Sequence, residues 1–257
     1  MVIAVHRIQT IAEDLLGRPL TAQDGIMPES IASAERDLGH SLPAPLAAFY
    51  RLVGNLPQFT DAYENFYAPA ELRDDDGLLM FLDENQVVCS WGVDAQGRVF
   101  QCHDGGCYDE GLDLQAFLEL MLQYQVAMGG NYGYDVRIPD GRLTDLLTQD
   151  GWQETVNHSQ LVIRRLHGFL IWNYLEADGQ VQNDPMFFSS LIAPPDAMIQ
   201  RYCLKDTRPA PMTWQQLAND PSSKLAAIKL YKTQHGVGLK AAKKAVDAYI
   251  ADRSSQS

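Results

Sequence analysis

Three stretches of helical spacing, each stopped by its own breaker, precede a set of short apolar runs, and that order most restricts the fold. Ile8, Ile11, Ala12, Leu15 and Leu16 share one helical face until Gly17-Arg18-Pro19 ends the run. Pro28-Glu29-Ser30 opens a second helix with Ile31, Ala34 and Leu38 inward and Gly39 as its C-terminal stop. Leu42-Pro43-Ala44-Pro45 starts a third, whose stripe is Leu46, Phe49, Tyr50 and Val53, closed by Gly54-Asn55. Residues 56–77 read as an acidic loop. Beyond it, residues 78–82 form a continuous apolar run, and strands over 86–93 and 99–103 flank a hairpin turn at Asp94-Ala95-Gln96-Gly97.

Asp113 then caps a long helix bearing Leu114, Phe117, Leu118, Met121 and Leu122. Gly129-Gly130-Asn131-Tyr132-Gly133 reads as a mobile loop. Leu143, Leu146 and Leu147 mark a short helix ending by Gly151, and residues 161–166 and 169–176 two strands, followed by a turn at Ala177-Asp178-Gly179-Gln180. Pro194-Pro195 starts another short helix. Helices and strands lack βαβ regularity, so the expected class is α+β: helices on a curved, mainly antiparallel sheet, plus a small C-terminal αα-hairpin.

Charge divides the chain. Residues 222–257 hold seven Lys/Arg against two Asp/Glu, whereas residues 1–221 hold 13 against 31, and no lysine occurs before Lys205. The sign reverses at Pro209-Ala210-Pro211, which suggests a domain over 1–208, a linker with a short helix over 209–221, and a helical hairpin and tail over 222–257. In that last part, Thr213 caps a helix through Trp214 and Leu217, Ser222 or Ser223 a second ending at His235, and a third runs from Leu239 to about Ile250. A body this acidic repels nucleic acid and anionic membrane and attracts basic partners. No stretch approaches the roughly 20 apolar residues of a membrane span. The first residues read as a folded helix and not a signal peptide, so a cytoplasmic location is expected. Cys89, Cys102, Cys107 and Cys203 are expected to be buried thiols in a reducing compartment.

Two resemblances follow from particular residues. Ile31, Glu35, Leu38-Gly39, Leu42-Pro43, Phe49-Tyr50 and Gly54-Asn55 form the first of two signatures, and Phe81-Leu82-Asp83-Glu84-Asn85-Gln86 leading into Ser90-Trp91-Gly92-Val93 forms the second. Together they resemble the SUKH superfamily of bacterial immunity proteins and a fungal regulator of cell-wall assembly, closely over residues 25–125 and loosely over 126–210. The resemblance implies binding without catalysis and without a cofactor, commonly the neutralisation of a basic nuclease toxin. The alternative is an intracellular scaffold or regulator with no toxin.

Residues 61–113 contain 13 Asp/Glu and two Arg. The candidate acidic face for a basic protein partner is Asp74, Asp75, Asp76, Asp83, Glu84, Asp104, Asp109 and Glu110, with Trp91 as the candidate aromatic contact. Separately, Lys224-Leu225-Ala226-Ala227-Ile228-Lys229 with Gly236-Val237-Gly238-Leu239-Lys240 is similar to the helix–turn–helix of the bacterial ribosomal stalk protein's C-terminal domain. Ala226, Ile228, Leu239, Ala242 and Val246 are the packing positions this implies, and Lys224, Leu225, Ile228, Lys229 and Lys240 its docking face. That hairpin is expected to bind protein or dimerise, not to bind the ribosome. No metal site, phosphate loop or nucleophile emerges: Cys102-His103 with Cys107 lacks a paired Cys-x-x-Cys, and no histidine sits in a recognisable triad. The partner's identity and the oligomeric state stay open.

Overall fold

The computed structural model describes residues 2–138, 142–175, 186–206, 213–219, 223–235 and 239–254. The chain divides into two compact units, residues 1–206 and 207–257.

The first unit begins with the three expected helices: α1 (Val2–Leu16), α2 (Pro28–Leu38) and α3 (Ala44–Val53). Ile8, Ile11, Ala12 and Leu15 are buried as their spacing requires, and Gly39 ends α2 in the left-handed conformation (φ 78°) that only glycine adopts freely. Glu35 is engaged, accepting from the Leu42 N–H at 2.9 Å and so holding the α2–α3 corner. Residues 56–77 are more ordered than a loop. They contain the short helix α4 (Pro57–Thr60), strands β1 (Asn65–Phe66) and β2 (Arg73–Asp75), and a single 3-10 turn at Pro69–Glu71. Phe59 and Tyr67 are the apolar anchors that fold this polar stretch down.

β3 (Leu78–Asp83), β4 (Ser90–Val93), β5 (Arg98–His103) and β6 (Gly106–Asp113) complete an antiparallel sheet in which β1 and β2 flank the outer edge of β3 and β4, β5 and β6 follow in order. The Asp94–Gly97 hairpin turn forms as expected. Two differences stand out. Residues 84–89 make a turn, so β4 starts at Ser90 and not at 86. Strand β6 was not expected, because Asp109-Glu110-Gly111 has neither β-propensity nor an apolar alternation; pairing with β5 imposes the strand. Across that hairpin Cys102 faces Cys107 directly and the two form a disulfide. The expectation of buried thiols is thereby corrected: register, not burial, brings these sulfurs together, and only Cys89 and Cys203 are free.

α5 (Leu114–Gly129) is capped by Asp113, whose carboxylate accepts from the Ala116 N–H at 2.8 Å. It touches α1, α3 and α4 and packs on strands of both sheets, so its buried set includes Glu119, Gln123 and Gln125 as well as apolar residues. The second sheet holds β7 (Tyr132–Val136), β8 (Gln153–His158), β9 (Leu161–Leu166), β10 (Phe169–Tyr174), β11 (Met186–Ser190) and β12 (Leu204–Asp206), all antiparallel, in the order β12-β7-β11-β10-β9-β8. The glycine-rich stretch expected as a mobile loop is therefore the end of α5 and the start of an interior strand, with Asn131 donating to the Leu191 carbonyl at 3.0 Å.

Period-two alternation divides this sheet's side chains. Leu170 and Trp172 join the large core beneath α5, while Phe169 and Ile171 face a smaller core with Leu147 of α6 (Arg142–Gln149) and Tyr202, which follows α7 (Asp196–Arg201). The class is α+β as expected, but with two antiparallel sheets where one was foreseen. The turn expected at Ala177–Gln180 and the linker Pro209-Ala210-Pro211 lie outside the described residues.

The second unit holds α8 (Trp214–Ala218), α9 (Lys224–His235) and α10 (Leu239–Ser254). Thr213 caps α8 by accepting from the Gln216 N–H. Trp214 packs edge-on against Tyr231 and Tyr249, and Ala227, Ile228, Ala242 and Val246 form the core. Ala226, expected inside, is exposed, because Ala227 occupies the inward position of that turn.

Candidate functional site

The eight acidic candidates do not make one face. The antiparallel order puts the Asp75-Asp76-Gly77 turn at the first end of β3 and the Glu84 turn at the other, about 20 Å away for six residues at roughly 3.3 Å each. Asp74 pairs with His40 (3.0 Å), Asp75 is exposed on β2, and Asp76 holds a left-handed turn position (φ 48°). Asp83 is used internally, accepting from the Tyr67 hydroxyl and the Ser90 hydroxyl, each at 2.6 Å. Asp104 sits at the β5–β6 turn, on the same end of the sheet as Glu84, and is exposed. Asp109 and Glu110 lie mid-strand on β6 and face opposite sides; Asp109 is exposed and accepts from the Gly111 N–H.

Glu110 points instead into a cleft of about 390 Å³ inside the first unit. Its floor is the face of α5 carrying Phe117, Leu120, Met121 and Tyr124; one wall is Cys89, Trp91 and Gln101 of the first sheet; the opposite wall is His158, Leu161 and Tyr174 of the second. Trp91 is buried, not presented on an open sheet face, yet it lines this cleft, and its indole N–H donates to Glu110 Oε1 at 2.6 Å. The other Glu110 oxygen lies 3.2 Å from His158 Nε2, on the β8–β9 turn. Trp172 is buried on the second sheet, where it donates to the Ser189 hydroxyl.

Glu64 closes the inner end. It is only 3 % exposed, and Oε2 accepts from the Asn85 N–H at 2.7 Å, while Oε1 accepts from no described residue. Burial first, then the nearby charge of Glu84, pushes its pKa up against the Asn85 hydrogen bond. Gln125, fully buried on α5, sets the position of this segment. Its Oε1 accepts from the Tyr63 and Glu64 N–H groups (2.7 and 3.1 Å) and its amide donates to the Glu64 carbonyl (2.6 Å).

The Glu84–Cys89 turn forms the rim. The Glu84 carbonyl accepts from the Val87 N–H, its carboxylate from the Gln86 N–H, and its own N–H donates to the Cys89 carbonyl. These bonds hold Val87 at φ 60°, a left-handed conformation that costs a β-branched residue about 1–2 kcal/mol, while leaving Val87 68 % and Val88 69 % exposed. Tyr108 on β6, 56 % exposed, stacks on His103 at the same end of the sheet. Three glutamates thus meet an aromatic-walled cleft with an apolar rim. The Cys89 thiol registers all three: burial, then Glu84, Glu64 and Glu110, raises its pKa. No Arg or Lys is among the described residues lining the cleft.

A larger hollow, about 760 Å³, lies between α6 and α7, but its Arg201 is already engaged by Asp150 and it has no aromatic wall. Among the described residues no group of three or more His, Cys, Asp or Glu is arranged to hold a metal ion, and no described helix is long and apolar enough to cross a membrane.

In the second unit, Lys224 pairs with Asp247 at 2.7 Å, Leu225 is 62 % exposed, and Lys229 is exposed. Ile228 is buried in the helical core, so it cannot belong to a docking face. The side chain of Lys240 lies outside the described residues.

Glu64, Tyr124, His158 and Tyr174 were not expected in any site. They span 110 residues of sequence, from Glu64 to Tyr174, and no local spacing links them. Comparison with protein-family models, curated proteins and solved structures finds no match, so the likeness to the SUKH superfamily rests on the quoted residues alone.

Proposed function

We propose that this chain is a non-catalytic protein-binding protein that grips a basic partner, acting as an immunity protein that occludes a nuclease-type toxin. The observation that carries the reading is the cleft: three glutamates with no Lys or Arg among its described lining residues, with exposed Val87 and Val88 in the turn between Glu84 and Cys89 and exposed Tyr108 at the same end of the sheet. Apolar anchors beside a carboxylate-lined cleft are what a desolvated contact to a positively charged surface requires. The wider field agrees, with 31 Asp/Glu against 13 Lys/Arg over residues 1–221, which repels nucleic acid and speeds encounter with a basic domain. The rim at the Glu84 and Asp104 end of the sheet, not the Asp74–Asp76 turn, is the contact surface in this reading. A cytoplasmic location goes with it, and the β5–β6 backbone ladder holds the hairpin whether or not the Cys102–Cys107 disulfide is reduced there.

The test is capture on the immobilised full chain from its native cells, at low salt and at about 0.5 M, where exposed charges are screened within a few ångströms. The expected result is a protein with a basic folded domain, held at low salt, released at high salt, and no longer captured by the Glu84→Lys variant. Recovery of no protein at low salt, or of one indifferent to that reversal, overturns the reading.

The scaffold alternative draws on exposed Leu225 beside Lys229 in the second unit. Deleting residues 207–257 separates the two readings: capture survives if the cleft rim does the binding and disappears if the helical unit does.

A further inference from the structure

The cleft has a chemical selectivity more specific than acidity. A carboxylate as buried as Glu64 is ordinarily paired or hydrogen-bonded, because charge is costly to hold away from water. Glu64 Oε2 accepts from the Asn85 N–H, and the side chain lines the cleft. Glu110 has its oxygens divided between the Trp91 indole and His158, which fixes the carboxylate in place. Glu84 supplies a third charge at the mouth.

Between these carboxylates lie aromatic faces and an apolar floor. Tyr63 and Tyr124 meet edge to face at 5.7 Å, the Tyr124 hydroxyl is bonded to Tyr174, and Trp91 leans on Phe117 at 6.3 Å. Such a lining suits a cation that is weakly hydrated, flat enough to lie on a ring, and carried on an aliphatic stem. A hydrated metal ion would find no aromatic advantage and too few converging oxygens; an anion would be repelled; a neutral apolar group would offer the three carboxylates no donor.

We propose that the cleft is a receptor for a single arginine side chain, its guanidinium set between Glu64, Glu84 and Glu110 and its stem along Phe117 and Met121. In the setting of the proposed function, on which this assignment of the arginine's owner rests, a basic protein partner inserts it while Val87, Val88 and Tyr108 meet the surrounding surface. The volume, about 390 Å³, accommodates an arginine side chain together with the backbone that presents it. Arginine is preferred to lysine because its fork satisfies two carboxylates at once and its plane stacks on aromatic rings.

The experiment needs no partner. The full chain, ¹⁵N-labelled, is titrated with n-butylguanidinium and, in parallel, with its neutral isostere n-butylurea and with n-butylammonium, following the Trp91 indole N–H, assigned by its loss in Trp91→Phe. Saturable displacement of that signal by butylguanidinium in the millimolar range is expected, with butylammonium weaker and butylurea without saturable effect. Glu64→Gln and Glu84→Gln should each weaken binding about tenfold, the equivalent of roughly 1.4 kcal/mol, and Asp75→Asn, at the other end of β3, should change nothing.

Glu84 is on the rim, so its variant stays decisive even if Glu64→Gln perturbs folding. Equal response to butylurea, no saturation at all, or insensitivity to Glu84→Gln overturns the proposal. A failed titration leaves the partner-capture reading to its own test, and a failed capture leaves a cation site that the titration still detects.

Discussion

At the level of single residues, the site depends on polar groups placed where an apolar core would be more stable. Gln125 is the plainest case. It touches no solvent, and it makes three hydrogen bonds to the backbone of Tyr63 and Glu64. Replacing Gln125 by Leu keeps the volume but leaves two N–H groups and one carbonyl unpaired, an expected cost of about 2–4 kcal/mol. A urea melt of the variant measures it, and the Tyr63–Glu64 amides should lose hydrogen-exchange protection. Glu64 behaves in the opposite sense. Its folded pKa lies above the ordinary carboxylate value, chiefly through burial, with Glu84, Glu110 and the phenols of Tyr63 and Tyr124 facing it. The fold therefore favours its protonated form, and its ionisation removes stability as pH rises from about 4.3 through that raised value. Glu64→Gln is expected to melt no lower than the parent near neutral pH, with the difference vanishing below about pH 4, where both side chains are neutral. A thermal melt series across that range checks the sign. Improved stability with lost cation binding would mark Glu64 as retained for function.

At the level of elements, the sheet register does what local propensity could not. Gly92 follows Trp91 on β4 and lies where a Cβ would come 2.7 Å from the Met80 sulfur and 2.9 Å from the Leu78 Cβ on β3. The Trp-Gly pair thus has a packing reason: the tryptophan turns to the cleft while the glycine lets two strands close on the other side. Gly92→Ala is expected to cost about 1–3 kcal/mol by overpacking, read from the shift of a denaturant midpoint. The helices α1, α2, α3, α5 and α7 were legible because their spacing, caps and breakers are local. Strands β6 and β7 were not, since one is acidic and the other glycine-rich, and each becomes a strand only through its neighbours. The cysteines are the same case: Cys102 and Cys107 are five residues apart in sequence, but their pairing follows from lying opposite in a hairpin that was itself unforeseen.

For the molecule as a whole, the charge reversal and the division into units fall close together, at about residue 207. The first unit has its own two cores and the second its own small one. A chain ending at Asp206 is therefore expected to fold with the same urea midpoint for its main transition as the full chain has, the loss being a minor helical signal in circular dichroism. A midpoint lowered by several tenths molar would show that the helical unit stabilises the first.

Class, helix positions, the acidic body and the basic C-terminal segment were all readable from residue order, because periodicity, capping and net charge are properties of neighbours along the chain. The cleft was not. Glu64 comes from the loop before β1, Glu110 from mid-β6, Tyr124 from α5, and His158 and Tyr174 from the second sheet. What makes them a site is the closing of two antiparallel sheets over one shared helix, which withdraws carboxylates from water and sets aromatic rings around them. Only the tertiary structure decides which of 33 acidic residues are withdrawn from water into the cleft, because desolvation depends on what folds over a group and not on what precedes it.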